Sequence, residues 1–203
     1  MALNTRGLAP PANRIPLPLQ PLPPRLYLSE NAFLGVVLAA VEVFNKECLG
    51  ILTGYRSGGS GIVVQRAVAL QSAARTPREV RPNKAARGRV RQALASLSTL
   101  ERPLGWFHSH PNQRLEPALH RLSPTDGASL EVGEIEVLAA IWPRRRSQPW
   151  SYNPRTHTLS GSLGDYNLKL SAWLKADAQH RPVALEIYCP FAHGYEELTG
   201  SAS

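Results

Sequence analysis

His108 and His110, two imidazoles with one residue between them, and Asp126, a carboxylate a short loop further on, are the side chains whose types and spacing could hold a metal. They lie in Gly105-Trp106-Phe107-His108-Ser109-His110-Pro111 and in Ser123-Pro124-Thr125-Asp126. On an extended backbone, side chains at i and i+2 leave from the same face, so both imidazoles aim at one point while Ser109 faces away. Two imidazoles and a carboxylate form a borderline-soft N/O set that suits Zn²⁺, and three protein ligands leave the fourth tetrahedral position for water. A site with that vacancy is catalytic rather than structural. Zinc lowers the pKa of such a water to about 7, so a hydroxide nucleophile exists at neutral pH. A base must still take the proton and return it to the leaving group. A His-x-His dipeptide alone also describes two ordinary histidines at a strand end; the Ser-x-x-Asp that follows favours the metal.

These side chains need elements to position them. Trp106-Phe107 leads in as a half-buried strand, and Pro111 stops that strand directly after the second imidazole. Ser123 has the character of a helix N-cap, Pro124 fits the first helical position and Asp126 the first turn. Capping alone would explain Ser123 and Asp126, but the two jobs are compatible, because helix-start amides can hold a carboxylate while it coordinates zinc. Upstream, Glu47 to Tyr55 is predicted as a strand with Glu47, Leu49 and Ile51 on one face and Cys48, Gly50 and Leu52 on the other. A carboxylate on such an apolar strand is costly unless it stands at a rim, is paired, or lies beside a metal-bound water. Cys48 is a small core residue rather than a nucleophile, since no charged partner for it can be identified.

His108-Ser109-His110-Pro111 followed by Ser123-x-x-Asp126 resembles the metal motif of the JAMM/MPN+ (JAB/Mov34) zinc metalloprotease family, which cleaves ubiquitin and ubiquitin-like proteins from conjugates. The family places a glutamate upstream on a strand, in a setting similar to Glu47-Cys48-Leu49-Gly50-Ile51-Leu52-Thr53-Gly54. The resemblance implies His108, His110 and Asp126 as zinc ligands, Glu47 as general acid/base and Ser123 as a polar stabiliser of the tetrahedral intermediate. It covers about Arg25 to Trp150 and extends only loosely beyond. The loop Asn112 to Leu122 is longer than the family pattern, which bears on substrate preference rather than on the ligands. This loop is expected to line a channel for the substrate's extended tail.

The remaining chain sets the frame. With 203 residues and 43% hydrophobic content, it is long enough for one domain with a real core. The net charge of +8 favours acidic partners without choosing among them. Two cysteines are too few for a disulfide scaffold or a thiolate zinc site, so a cytoplasmic setting is the default. Residues 1–24 are rich in proline, which forbids regular helix; they form a flexible arm rather than a signal peptide, and residues 25–203 form the catalytic domain. No stretch is apolar for long enough to span a bilayer.

Further elements follow from periodicity. Arg25 to Leu28 reads as a strand, Ser29 as the N-cap of a helix to about Asn45, and Ile62 to Leu70 as the return of a hairpin across Ser57-Gly58-Gly59-Ser60-Gly61. The basic stretch Arg75, Arg78, Arg81, Lys84 and Arg87, broken by Pro77 and Pro82, reads as solvated, because no aromatic residues interleave with it. Val90, Leu94, Leu97 and Leu100 give an amphipathic helix. Strands follow at Ile135 to Trp142, within Trp150 to Leu163, at Leu168 to Leu174, and at Val183 to Tyr188. Glu116, His120, His157, His180 and His193 receive no role. Together these give an α/β (α+β) single domain; the resemblance implies a mixed β-sheet flanked by helices, the cytidine-deaminase-like JAMM/MPN fold.

The resulting expectation is a compact prokaryotic-type zinc (iso)peptidase whose substrate is a ubiquitin-like protein or its conjugate, working beside conjugation-pathway proteins. Two alternatives remain at this level: a hydrolase that processes a sulfur-carrier or ubiquitin-like precursor, and a non-catalytic scaffold of the same fold. A nucleic-acid module has only the charge in its favour.

Overall fold

Helix follows strand from the first described residues: Ser29 Oγ accepts from Ala32 N at 3.2 Å, opening a helix whose Phe33, Val36, Val37 and Ala40 are buried. The computed structural model describes residues 24–57, 61–76, 80–81, 83–96 and 101–192. The proline-rich arm, apart from Pro24, lies outside the described residues, as do Gly58 to Ser60, Pro77, Arg78, Pro82, Leu97, Leu100 and His193. In chain order the elements are β1 (Arg25–Leu28), α1 (Glu30–Glu42), β2 (Leu49–Arg56), β3 (Gly61–Ala69), β4 (Ala74–Arg75), β5 (Val80–Arg81), α2 (Lys84–Ser96) and β6 (Arg102–Pro111). Then come α3 (Pro124–Ser129), β7 (Ile135–Pro143), β8 (Ser151–Asn153), β9 (Thr158–Leu163), β10 (Tyr166–Leu174), β11 (Val183–Ala184) and β12 (Glu186–Tyr188).

A mixed sheet runs in the order β12-β1-β3-β2-β6-β7-β10-β9-β8, with β11 on β10 and a separate β4-β5 pair. Most neighbours are antiparallel, but β6 and β7 are parallel. Parallel strands need a crossover of a dozen or more residues, and the chain from 112 to 134 is that crossover. The long loop therefore serves the topology, and it brings α3 and Asp126 back over the end of β6. At the start of this pair, a β-carbon on Gly105 (φ 155°) would lie 1.9 Å from the Ile135 carbonyl oxygen, so the close approach requires glycine.

The sheet's two faces hold different cores. Phe107, Leu52, Val137 and Cys48 pack with α1 on one face, where Phe33 meets Trp150 edge-on at 4.8 Å. Leu49, Ile51 and Trp106 pack on the other face with Val90 and Leu94 of α2. That division is the alternation expected from the sequence. Three boundaries differ. Helix α1 ends at Glu42 rather than near Asn45, because the chain tightens into bonds from Phe44 N to Val41 O and from Lys46 N to Val43 O. Strand β2 begins at Leu49, leaving Glu47 in the lead-in. The run Val183 to Tyr188 is two strands, because Leu185 N turns to Ala172 O at 2.8 Å while β12 crosses to pair with β1.

Candidate metal centre

Strand β6 delivers both imidazoles to the α2 and α3 side of the sheet, as the i, i+2 spacing requires. His108 Nε2 lies 3.1 Å from His110 Nε2, and Asp126 Oδ2 lies 3.7 Å and 3.9 Å from those two nitrogens. A capping box holds the carboxylate: Ser123 N donates to Asp126 Oδ2 at 3.0 Å, and Asp126 N donates to Ser123 Oγ at 3.1 Å. Both jobs foreseen for this tetrapeptide are therefore geometrically available.

What stands behind each ring decides whether a cation fits. His108 Nδ1 is 2.6 Å from Glu136 Oε1, and His110 Nδ1 is 3.0 Å from the Leu119 carbonyl oxygen. A carbonyl can only accept, so His110 carries its proton on Nδ1 and turns the Nε2 lone pair inward. When His108 is neutral and donates its Nδ1 proton to Glu136, two Nε2 lone pairs and a carboxylate oxygen face one point, an arrangement that a cation relieves. The residues thus fit a metal, and an outer carboxylate and carbonyl orienting the rings are the usual supports of such ligands. Burial lowers the His108 pKa, but the Glu136 hydrogen bond and charge, with Asp126 and Glu47, raise it further and leave it above the ordinary value. Burial and the neighbouring His108 hold His110 below it.

Glu136 was not singled out by sequence reasoning. Its signal was present: a lone carboxylate in the otherwise apolar strand Ile135 to Trp142, and it is only 4% exposed. Glu136→Gln, which removes the charge, is expected to weaken metal affinity about 10-fold, and Glu136→Ala, which also removes the acceptor, toward about 100-fold. Competition with a chelating dye measures both, and unchanged affinity in both variants would leave Glu136 without this role.

Glu47 is 8% exposed and lines the same cavity of about 610 Å³ as His108, His110, Ser123 and Asp126. Two contacts anchor its backbone. Glu47 N donates to Thr76 O at 3.0 Å, and the adjoining Cys48 is clamped to Ser109, whose Oγ accepts from Cys48 N at 2.9 Å and whose N donates to Cys48 O at 3.2 Å. The residue between the two histidines thus ties the segment that carries Glu47 to β6.

The loop from 112 to 122 is fastened to the sheet by Ala118, which packs on Ala140 and Trp142, and it supplies the Leu119 carbonyl to His110. His120 contributes its backbone oxygen to Ser171 Oγ, and Glu116 is exposed. His157 meets the Tyr152 hydroxyl, and His180 pairs with Asp177, so neither joins the cluster. Cys48 and Cys189 are buried and not in a disulfide. None of the described helices is long and apolar enough to cross a membrane.

Residues 24–121 match the family described as JAB1/Mov34/MPN/PAD-1 ubiquitin protease. The match includes Glu47, His108 and His110 and ends before Ser123 and Asp126. The fold is shared with the solution structure of protein DSY2949 from Desulfitobacterium hafniense, at a TM-score of 0.54 and 18% identity over 81% of this chain and 92% of that one. No curated protein matches the chain.

Proposed function

We propose that this chain, whose residues 24–121 match the JAB1/Mov34/MPN/PAD-1 ubiquitin protease family, is a zinc-dependent (iso)peptidase that releases a ubiquitin-like protein from its conjugates or trims its C-terminus. The observation behind this reading is the convergence of His108 Nε2, His110 Nε2 and Asp126 Oδ2 in a cavity that Glu47 also lines. Held by His108, His110 and Asp126, zinc would supply Lewis acidity and a water made acidic enough to act near neutral pH.

The chain's own residues do the rest. His108, His110 and Asp126 would hold the zinc, with Glu136 and Leu119 O orienting the rings. The Glu47 carboxylate accepts a proton from the attacking water and returns it to the departing amine as the C–N bond breaks. Ser123 Oγ already accepts from Asp126 N, which leaves its hydroxyl proton to donate to the carbonyl oxygen as that oxygen gains charge. The substrate side is a ubiquitin-like protein, with a cytoplasmic setting and proteins of a conjugation pathway as neighbours.

The test is incubation of zinc-loaded protein with ubiquitin-like fusions and isopeptide conjugates, with and without a chelator. Cleavage that the chelator abolishes is expected. Stoichiometric zinc with no cleavage across linear and branched substrates would favour the non-catalytic scaffold.

A further inference from the structure

The cavity has a second end. Trp106 precedes His108 by two residues on the same face of β6, about 7 Å along the strand. Its indole is fixed, with Nε1 donating to Glu134 Oε2 at 3.2 Å and the residue only 9% exposed. Over this ring, at 4.0 Å from its centre, sits the guanidinium of Arg87, reaching from the first turn of α2; Arg91 lies on the same ring at 6.0 Å. Arg87 is half-buried, and among the described residues no carboxylate pairs with it.

Charge is divided across this space. Glu47, Asp126 and Glu136 line the metal end, and Arg87 is the one lysine or arginine among the described residues lining the cavity. In the metal-free protein, a carboxylate at the metal end would face three like charges. At the other end it meets the Arg87 guanidinium, whose carbon lies 4.0 Å from the centre of the Trp106 ring and whose N–H groups can pair with two carboxylate oxygens.

We propose that Arg87, seated on Trp106, is a carboxylate-recognition subsite, so that the substrate carries an anionic carboxylate one or two residues from the bond placed at the metal. The inference rests on the hydrolase reading only for which end holds the scissile bond. The carboxylate could be a chain terminus or an acidic side chain, and both present the same fork of oxygens.

The experiment uses metal-free, full-length protein and three probes: N-acetyl-Gly-Gly-Ala, its C-terminal amide, and N-acetyl-Gly-Gly-Asp amide. Binding is followed through the Trp106 indole N–H resonance, assigned with a Trp106→Phe protein. At least one carboxylate probe is expected to bind about tenfold more tightly than the neutral amide, a difference of about 1.4 kcal/mol. A preference for the first assigns a chain terminus, and a preference for the third a side chain. Arg87→Gln is expected to abolish that preference and Arg87→Lys to retain part of it, with the unliganded indole spectrum of each reporting that the fold is kept. Equal binding of all three probes, or a preference that survives Arg87→Gln, overturns the proposal. Because neither metal nor turnover enters the measurement, this result and the cleavage test can fail independently.

Discussion

Glu47→Gln is expected to lower kcat by about 10²–10⁴-fold, the range over which a positioned acid/base acts, while the protein still takes up one zinc per chain. Glutamine keeps the shape but cannot accept and return a proton. The backbone anchors of this residue, Thr76 O and the Ser109 clamp on Cys48, do not involve its side chain, so the exchange should leave the ligands in place. Metal content by atomic emission and kcat on the same sample separate the two effects. Turnover near wild type would remove Glu47 from the mechanism.

His108→Ala is expected to abolish specific zinc binding at micromolar metal. It removes a ligand and, at the same time, leaves the buried Glu136 carboxylate facing an empty space without its 2.6 Å partner. Asp126→Asn is the gentler variant: an amide oxygen can still accept from Ser123 N, but the ligand charge is gone. Thermal unfolding reads both. Zinc at 100 times its Kd stabilises the wild-type fold by about 2.7 kcal/mol, so Tm should rise with added metal. His108→Ala should show no such rise and Asp126→Asn a reduced one. An undiminished zinc-dependent rise in His108→Ala would place the metal elsewhere.

The grouping of His108, His110 and Asp126 was legible in the sequence because its pattern is local. An i, i+2 pair on a strand and a carboxylate in a capped first turn are legible one element at a time, and the spacing of Leu49 and Ile51 against Cys48 and Leu52 gave the facing of β2. Contacts between distant strands were not legible. Glu136 stands behind His108 only because β6 and β7 run parallel in a register that pairs Trp106 with Glu136, and nothing in the run Ile135 to Trp142 announces that neighbour. Arg87 was passed over for the same reason. Its own stretch contains no aromatic residue, and the ring it sits on comes from β6. The long 112 to 122 loop, expected to line a substrate channel, closes a parallel crossover and holds His110 through one carbonyl. The split of the run Val183 to Tyr188 between β10 and β1 is likewise a property of the closed sheet rather than of six residues.

The most direct measurement is anomalous diffraction at the zinc edge from crystals of the metal-loaded protein. One peak bounded by His108 Nε2, His110 Nε2 and an Asp126 carboxylate oxygen, with the Glu47 side chain turned toward its remaining open side, is the expected result. A peak coordinated by other residues, or none at these three side chains in protein that carries stoichiometric zinc, would contradict the metal centre and the hydrolysis built on it.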